Sequence, residues 1–338
     1  MPLIAFDARR ANVRMPHGSG IYVRSLLEAL RRSPPPGHEL WALEDQGAGP
    51  ELWWEQVTLP RLLRARRAGL LHAPDSFLPL RRNCPAVLTV HDLAFEAMPE
   101  DMPGKTGWKY RTLVPRCARS AQAVICPSRF TADDVVERCG VPPDRVRVIS
   151  EAPALRQGSD PAPPGRYLLS AGDLRPKKNL PLLIAAYRRL RHDGLEHRLV
   201  VTGADQGIGG QLRRLAGDEP VELPGFVSDD RLDALIRGAE AVVVPSVYEG
   251  FGLIALEAMA RGRPVILARA GALPEVGGEA AAYFDATDVD ALAQAIRRVV
   301  EDEDERRRLG QAGVARAAEF TWEKTAQATV AVYEEVLG

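Results

Sequence analysis

One stretch of the sequence reads Ala241-Val-Val-Val-Pro-Ser-Val-Tyr-Glu-Gly-Phe-Gly-Leu-Ile-Ala-Leu-Glu257 and predicts a buried strand, a glycine-containing turn and a helix. Glu249 lies in the turn, and Glu257 lies a little over two helical turns further on. A helix that starts after a tight turn offers backbone N–H groups and the positive end of its dipole, which suits a phosphate. The second carboxylate suits the hydroxyls of a sugar. The same spacing also fits an ordinary strand–turn–helix with Ser246 as the helix cap, and this stretch alone does not separate the two interpretations.

Short apolar runs alternate with amphipathic segments along the chain, a pattern that is typical of parallel sheets covered by helices. Strands are predicted near residues 3–7, 39–43, 70–73, 86–91, 123–127, 146–149, 167–171, 198–202, 221–223, 241–245, 264–268 and 281–284. Helices are predicted at 20–32, 106–119, 129–139, 179–192, 208–216, 229–239, 251–261 and 288–301, with two more pieces between residues 304 and 337. Together they predict an α/β protein.

The segment 151–165 is rich in Pro and Gly and has no periodicity, so it predicts a linker between two domains. We expect two doubly wound, Rossmann-like domains, residues 1–155 and 166–320, with the last segment, 321–338, returning to the first. Such domains bind ligands at the carboxyl ends of their strands, and two facing domains would line one cleft.

Composition indicates a soluble, cytoplasmic protein of 338 residues with net charge −1. No apolar run is long enough to span a bilayer, and the start lacks the order of a signal peptide. Four cysteines without a C-x-x-C pair or a nearby His cluster favour free thiols over a metal site. The first 150 residues carry an excess of basic groups, which suits either an anionic or membrane-borne acceptor or merely a solvated helix face: Arg61, Arg64, Arg66, Arg67, Lys105, Lys109, Arg111, Arg116 and Arg119.

Three further elements lie where a cleft would need them. The run His17-Gly-Ser-Gly-Ile-Tyr-Val-Arg24 predicts a glycine loop that opens the first helix, either as a phosphate turn or as a plain turn. His91 lies at the end of a predicted strand, where a lone histidine is more often structural, although the strand-end position strengthens the case for a functional role. The run Asp173-Leu-Arg-Pro-Lys-Lys-Asn179 places three cations beside a helix start, as a diphosphate clamp would require.

Taken together, these elements resemble the retaining glycosyltransferases of family 4, which have the GT-B fold. The resemblance covers nearly the whole chain and rests on the order of six motifs: Gly18-Ser-Gly20, Thr89-Val-His-Asp92, Gly172-Asp-Leu-Arg-Pro-Lys-Lys-Asn-Leu180, Leu223-Pro-Gly-Phe-Val227, Glu249 through Glu257, and Gly271-Ala-Leu-Pro-Glu-Val276.

The resemblance implies that the second domain binds a nucleotide-sugar donor, UDP- or GDP-linked, and that the first binds the acceptor. It implies catalytic or sugar contacts for His91, Glu249, Lys178 and Arg175. It implies donor contacts for Gly20, Gly172, Lys177, Phe226, Val227, Gly252, Leu253 and Glu257, with Glu257 on the ribose and Phe226 and Val227 beside the base. Many relatives have Arg where this chain has Asp173, so the share of phosphate neutralisation among Arg175, Lys177 and Lys178 stays open.

The implied reaction moves a hexose-type sugar, with retention and without a metal cofactor, to a hydroxyl of a glycan, glycolipid or small secondary metabolite. Nucleic acid is not expected as a partner, and peripheral membrane contact through the basic first domain is left open by the sequence. Two alternatives share the architecture: a nucleotide-sugar epimerase and a non-catalytic protein that binds nucleotide sugars. A dinucleotide-dependent dehydrogenase is disfavoured because the third glycine of its fingerprint is missing after Gly20.

Overall fold

The computed structural model describes residues 2–12, 18–44 and 50–338. The chain forms two compact units: Met1–Ala154 with Phe320–Gly338, and Leu155–Glu319. The sequence placed the corresponding boundaries at residues 155, 166 and 320. Each unit contains one six-stranded sheet in which all pairings are parallel.

The sheet of the first unit has the strand order β2-β1-β3-β4-β5-β6. These strands are β1 Leu3–Asp7, β2 Glu39–Leu43, β3 Ala68–Ala73, β4 Ala86–Thr89, β5 Ala123–Cys126 and β6 Val146–Val148. The strands β4 and β5 are buried along their whole length, because helices cover both faces of a parallel sheet.

The sheet of the second unit has the strand order β12-β11-β10-β7-β8-β9. These strands are β7 Tyr167–Ala171, β8 Arg198–Thr202, β9 Val221–Gly225, β10 Ala241–Val244, β11 Val265–Ala268 and β12 Ala282–Phe284. Counted within the unit, this is the 3-2-1-4-5-6 order of a dinucleotide-binding fold. The order reverses between β7 and β10, and the crevice at that point is where such sheets bind ligands.

The α-helices of the first unit are α1 Gly18–Arg32, α2 Glu51–Trp53, α3 Leu59–Ala65, α4 Ala94–Ala97, α5 Gly104–Ser120, α6 Arg129–Cys139 and, at the end of the chain, α14 Trp322–Leu337. Those of the second unit are α7 Leu180–His192, α8 Gly209–Ala216, α9 Asp229–Gly238, α10 Leu253–Ala260, α11 Leu273–Gly277, α12 Val289–Glu301 and α13 Glu303–Ala317. None of the helices in the described parts of the chain combines the length and apolarity needed to cross a bilayer.

The C-terminal segment Phe320–Gly338 belongs to the first unit, and buried polar contacts fix it there. The Tyr333 hydroxyl lies 2.6 Å from Nδ1 of His72, whose Nε2 lies 2.9 Å from the Thr89 hydroxyl. Burial lowers the pKa of His72 to about 3, so this ring is neutral. The Trp322 indole also donates to the Pro153 carbonyl at 3.0 Å.

The helical segment 51–65 was not predicted. It joins α2 to α3 through a π-helical turn, Trp54–Thr58, and its exposed Leu52 and Trp53 obscure the amphipathic period. The side chains of the basic group at its end, Arg61, Arg64, Arg66 and Arg67, are exposed to solvent. Exposure of these side chains fits both predicted interpretations, a solvated helix face and a surface for an anionic acceptor.

Candidate functional site

The clearest cluster of predicted site residues lies at the carboxyl ends of β7 and β10, on either side of the point where the strand order reverses. After β7 the chain runs through Gly172 into a single 3-10 turn, Pro176–Lys178. After β10 it enters the turn that holds Glu249. Lys178 Nζ lies 2.5 Å from Glu249 Oε1, so two residues that are 71 positions apart in sequence form an ion pair.

Glu249 is held from three directions and is only 7% exposed. The Ser246 hydroxyl donates to the same Oε1 atom at 2.9 Å. Gly271 has a φ of +56°, and a Cβ there would lie 2.6 Å from the backbone N and O of Glu249, so only glycine fits. The adjacent Ala272 N–H donates to the Glu249 carbonyl at 2.9 Å. The turn is therefore set before any ligand binds.

The carboxyl group of Glu249 is ionised in this environment. Burial alone raises the pKa of such a group, but the charges of Lys178 and Lys177 and the hydrogen bonds from Lys178 and Ser246 outweigh that effect. The net result is a pKa below the ordinary value. In the free protein the charges of Glu249 and Lys178 therefore compensate each other.

Lys178 lies over a backbone surface made of glycine. A Cβ at Gly172 would lie 3.1 Å from Lys178 Cε and 3.2 Å from its Nζ, and the φ of Gly172 is +134°. Lys177 is buried, and its carbonyl accepts a hydrogen bond from Val247 N–H at 2.9 Å. The backbone N–H of Lys178 donates a hydrogen bond to the Arg175 carbonyl at 3.1 Å. The predicted cation group is thus one turn of chain next to Glu249.

Glu257 is the one charged residue in α10, and it is 4% exposed. Its Oε1 accepts the Leu155 N–H at 2.8 Å, and its Oε2 accepts Arg261 Nη1 at 2.8 Å. The sequence predicts this carboxylate as a hydrogen-bond acceptor for ribose hydroxyls.

Four further predicted donor contacts lie on elements of the second unit. Gly252 is the N-cap residue of α10 with a φ of +105°, and Leu253 is the first residue of that helix. The first amides of a helix have no intrahelical acceptor, so this terminus suits an anion. Phe226 follows β9 and is 43% exposed, while Val227 is half-buried. An exposed aromatic side chain at a strand end suits a stacked base.

Two predicted site residues, His91 and Gly20, belong to the first unit. Gly18 to Gly20 form the first turn of α1, so the predicted glycine loop is wrong for these residues; His17 lies outside the described residues. His91 lies past the end of β4, and its ring nitrogens both have partners. Nδ1 lies 3.1 Å from Glu151 Oε1 and Nε2 lies 2.8 Å from the Pro74 carbonyl. A sugar contact through this ring requires one of these bonds to be shared or exchanged.

His91 is expected to make stability depend on pH above neutrality. Burial lowers its pKa, but the hydrogen bond and charge of Glu151, with Asp75 and the Pro74 carbonyl, raise it to about 9. Because the folded pKa exceeds the unfolded one, this contribution is complete below about pH 6.5 and is lost as pH rises through 9. It amounts to about 3 kcal/mol at most.

Urea unfolding followed by tryptophan fluorescence measures this loss, because all five tryptophans belong to the first unit. The Glu151→Gln variant should show a smaller loss of unfolding free energy between pH 6.5 and 9.5 than the wild type. An NMR titration that gives His91 a pKa near 6.5 would contradict the expectation.

The sequence did not predict the hydrogen bond between Ser246 and Glu249. The sequence allows Ser246 to be a helix cap, and Ser128 lies in the equivalent position after β5. Ser128 does cap α6 by accepting the Thr131 N–H at 3.0 Å. Ser246 instead donates to Glu249, because α10 begins only at Leu253. The S-x-x-E spacing, which resembles a capping box, was the available signal. Across residues 2–12, 18–44 and 50–338, no three His, Cys, Asp or Glu side chains are grouped to hold a metal ion.

Comparisons with known proteins follow the same division of the chain. The model of the family "Glycosyltransferase Family 4" matches residues 16–152, and that of "Glycosyl transferases group 1" matches residues 152–316. O-antigen chain mannosyltransferase B of Escherichia coli is 28% identical over 80% of this chain and 76% of its own length. MMP alpha-(1->4)-mannosyltransferase of Mycolicibacterium hassiacum is 36% identical over 66% of this chain, but over only 56% of its own length.

Solved structures confirm the predicted GT-B fold. Sucrose-phosphate synthase from Thermosynechococcus elongatus superposes with a TM-score of 0.77 at 23% identity and covers 99% of both chains. Anabaena HepE, solved in complex with UDP and glucose, superposes with a TM-score of 0.71 at 18% identity over 99% of this chain and all of its own. The two family models together cover residues 16–316, and the prediction of a glycosyltransferase is confirmed. The chain belongs to the family 4 glycosyltransferases.

Proposed function

We propose that this protein transfers a hexose from a nucleotide diphosphate sugar to an acceptor hydroxyl, with retention of configuration and without a metal ion. The observation that carries the proposal is the ion pair of Lys178 and Glu249 at the strand-order reversal of the second sheet. A cation and a carboxylate are thereby preorganised where such sheets bind nucleotides. The proposed acceptor side is the first unit, the proposed donor side the second.

The proposed donor site assigns one chemical role to each group. Lys178 neutralises the diphosphate, assisted by Lys177 and Arg175, while Glu257 binds the ribose hydroxyls. Further donor contacts come from Gly20, Gly172, Phe226, Val227, Gly252 and Leu253. In the free protein the Nζ of Lys178 binds Glu249. On donor binding it would turn to the diphosphate, while Ser246 keeps Oε1 of Glu249 supplied with a donor.

The charge changes of the reaction explain why cations suffice. Breaking the bond between sugar and phosphate builds positive charge on the sugar and negative charge on the leaving diphosphate. Fixed cations and helix N–H groups stabilise that negative charge as it grows. For retention, the acceptor attacks from the face that the diphosphate leaves, and its proton passes to the departing phosphate. Glu249 and His91 then position the sugar, and no carboxylate nucleophile takes part.

The sugar is proposed from the names of the relatives, and the acceptor from the basic charge of the first unit. Two of the relatives are mannosyltransferases by name, which makes mannose the first sugar to test. The basic groups of the first unit favour an anionic or membrane-borne glycan acceptor only modestly. Lys109 binds Glu51, Arg111 donates to the Phe95 carbonyl and Arg119 donates to the Cys139 carbonyl, so part of that charge is used within the unit.

Calorimetric titration of UDP, GDP, ADP and TDP, each with EDTA present, tests the proposal. We expect one diphosphate to bind much more tightly than the others, because the base contacts at Phe226 and Val227 discriminate while the phosphate contacts do not. The corresponding sugar nucleotides then go into a transfer assay, and the anomeric configuration of the product is read by NMR.

Each part of the proposal has its own contrary result. Absence of binding by all four diphosphates would overturn the donor site. Binding or transfer that EDTA abolishes and Mg²⁺ restores would overturn the metal-free clamp. An inverted product would overturn retention while leaving the transferase assignment standing.

A further inference from the structure

Arg261 joins Glu257 to two other parts of the second unit. It follows the last residue of α10, and its side chain is 11% exposed. Nη1 donates to Glu257 Oε2 at 2.8 Å and to the Glu257 carbonyl at 3.0 Å. Nε donates to Asp233 Oδ1 at 2.7 Å, and Nη2 donates to the Leu155 carbonyl at 2.7 Å. A single guanidinium therefore reaches four acceptors.

These contacts fix the direction of the Glu257 carboxylate. The neighbours of Glu257 along α10 are apolar and buried, so the helix itself offers this charge no partner. Arg261 holds one oxygen and the Leu155 N–H holds the other, and Arg261 also holds the Leu155 carbonyl. Because the same arginine binds both the carboxylate and the segment that caps it, rotation of the carboxylate would break several hydrogen bonds together.

Asp233 of α9 holds Arg261 in place. Its side chain is 1% exposed and accepts from Arg261, from Arg237 Nε at 2.6 Å and from the Gly158 N–H at 3.0 Å. Burial raises the pKa of this carboxyl, but the two arginines and the Gly158 amide outweigh that effect and lower it. Arg261 thus lies between two buried carboxylates and is oriented by its fixed, planar set of donors.

We infer that Arg261 is a positioning residue for recognition of the ribose 2′- and 3′-hydroxyls of a nucleoside diphosphate. This inference rests on the proposed function and goes beyond it, because Arg261 acts through Glu257 and does not itself contact the nucleotide. A hydroxyl pair on a ribose needs an acceptor held at one angle, and the Asp233–Arg261 pair supplies that restraint. If Arg261 served folding alone, its loss would lower affinity for every nucleotide equally.

Affinity for a nucleoside diphosphate is compared with affinity for its 2′,3′-dideoxy analogue by calorimetry, with UDP or GDP as the probe, whichever the wild type binds. Removing Glu257 as Glu257→Ala should abolish the wild-type preference for the ribose form. We expect Arg261→Gln to lower that preference about tenfold and to change affinity for the dideoxy form less than twofold.

Arg237→Gln is the matched control. It removes the other arginine of Asp233 and a bond to the Asp160 carbonyl, but no contact of Glu257, so it should keep the wild-type preference. Arg261→Lys keeps a charge within reach of Glu257 and should recover part of the preference even if Arg261→Gln does not fold.

Two results would overturn the inference. The first is an unchanged preference for the ribose form in a folded Arg261→Gln variant. If Arg261→Gln does not fold and Arg261→Lys does, a wild-type preference for the ribose form in Arg261→Lys has the same meaning. The second is an equal fall in affinity for both nucleotides, which would make Arg261 a folding residue only. If the wild-type protein binds neither nucleotide, the proposed function itself is overturned. This result is distinguishable from the other two because it is measured on the wild type alone.

Discussion

Replacing Lys178 by alanine is expected to lower turnover at least a hundredfold. Loss of one donor that stabilises developing negative charge costs about 2.7–4 kcal/mol in enzymes whose oxyanion sites have been dissected. Lys178 is the cation in direct contact with Glu249, and it lies over the open glycine surface of Gly172. The measurement is kcat with saturating donor and acceptor, together with affinity for the nucleoside diphosphate. Lys324→Ala, at an exposed lysine of α14 outside the basic groups, is the control and should match the wild type.

Lys178→Ala also removes the main partner of a buried carboxylate, so the kinetic effect must be separated from disturbance of Glu249. The double variant Lys178→Ala/Glu249→Gln does this. If Lys178 worked only by holding Glu249, the double variant would be no slower than Glu249→Gln alone. A diphosphate contact predicts a further loss on top of Glu249→Gln. Turnover of Lys178→Ala near the wild-type rate would move the phosphate role to Lys177 or Arg175.

Replacing Gly203 by alanine is expected to destabilise the second unit by about 3 kcal/mol or more, since strained backbone and overpacking each cost about 1–3 kcal/mol. A Cβ at this position would lie 2.0 Å from the Gly172 carbonyl oxygen and 2.9 Å from the Asp173 N, and the φ of Gly203 is +147°. These are backbone atoms and cannot rotate away. Because Gly172 lies under Lys178, nucleotide affinity should fall as well.

Urea unfolding of Gly203→Ala is followed by circular dichroism, since the second unit has no tryptophan. The matched control is Gly210→Ala within α8, where the nearest atom to an added Cβ is Arg214 Nη1 at 3.7 Å. Alanine in a helix is favoured over glycine, so this variant should be neutral or more stable by up to about 1 kcal/mol. If Gly203→Ala unfolds at the same urea concentration as the wild type, the ends of β7 and β8 can move apart without loss of unfolding free energy, which would contradict the prediction.

The secondary structure of the second unit was predictable because its signals are local. Apolar runs such as Ala241–Val244 and the glycines that follow them announce strand and turn within ten residues. Alternation of strand and helix then implied parallel sheets with ligand sites at the carboxyl ends. The segment 51–65 escaped because its π-helical turn shifts the period and because Leu52 and Trp53 are exposed.

The sequence by itself determined the alternating α/β order, the carboxyl-edge location of Lys178 and Glu249, and the family that their motifs resemble. Only the tertiary structure decided which groups these side chains bind. Ser246 donates a hydrogen bond to Glu249 and does not cap a helix. Both ring nitrogens of His91 have partners, Glu151 and the Pro74 carbonyl, and Glu257 accepts from the Leu155 N–H, 102 positions away in sequence. The physical reason is that the apolar periodicity of a strand or helix depends on residues close together in sequence. The hydrogen-bond partner of a buried charged group can instead come from any part of the chain that the fold brings within about 3 Å of it.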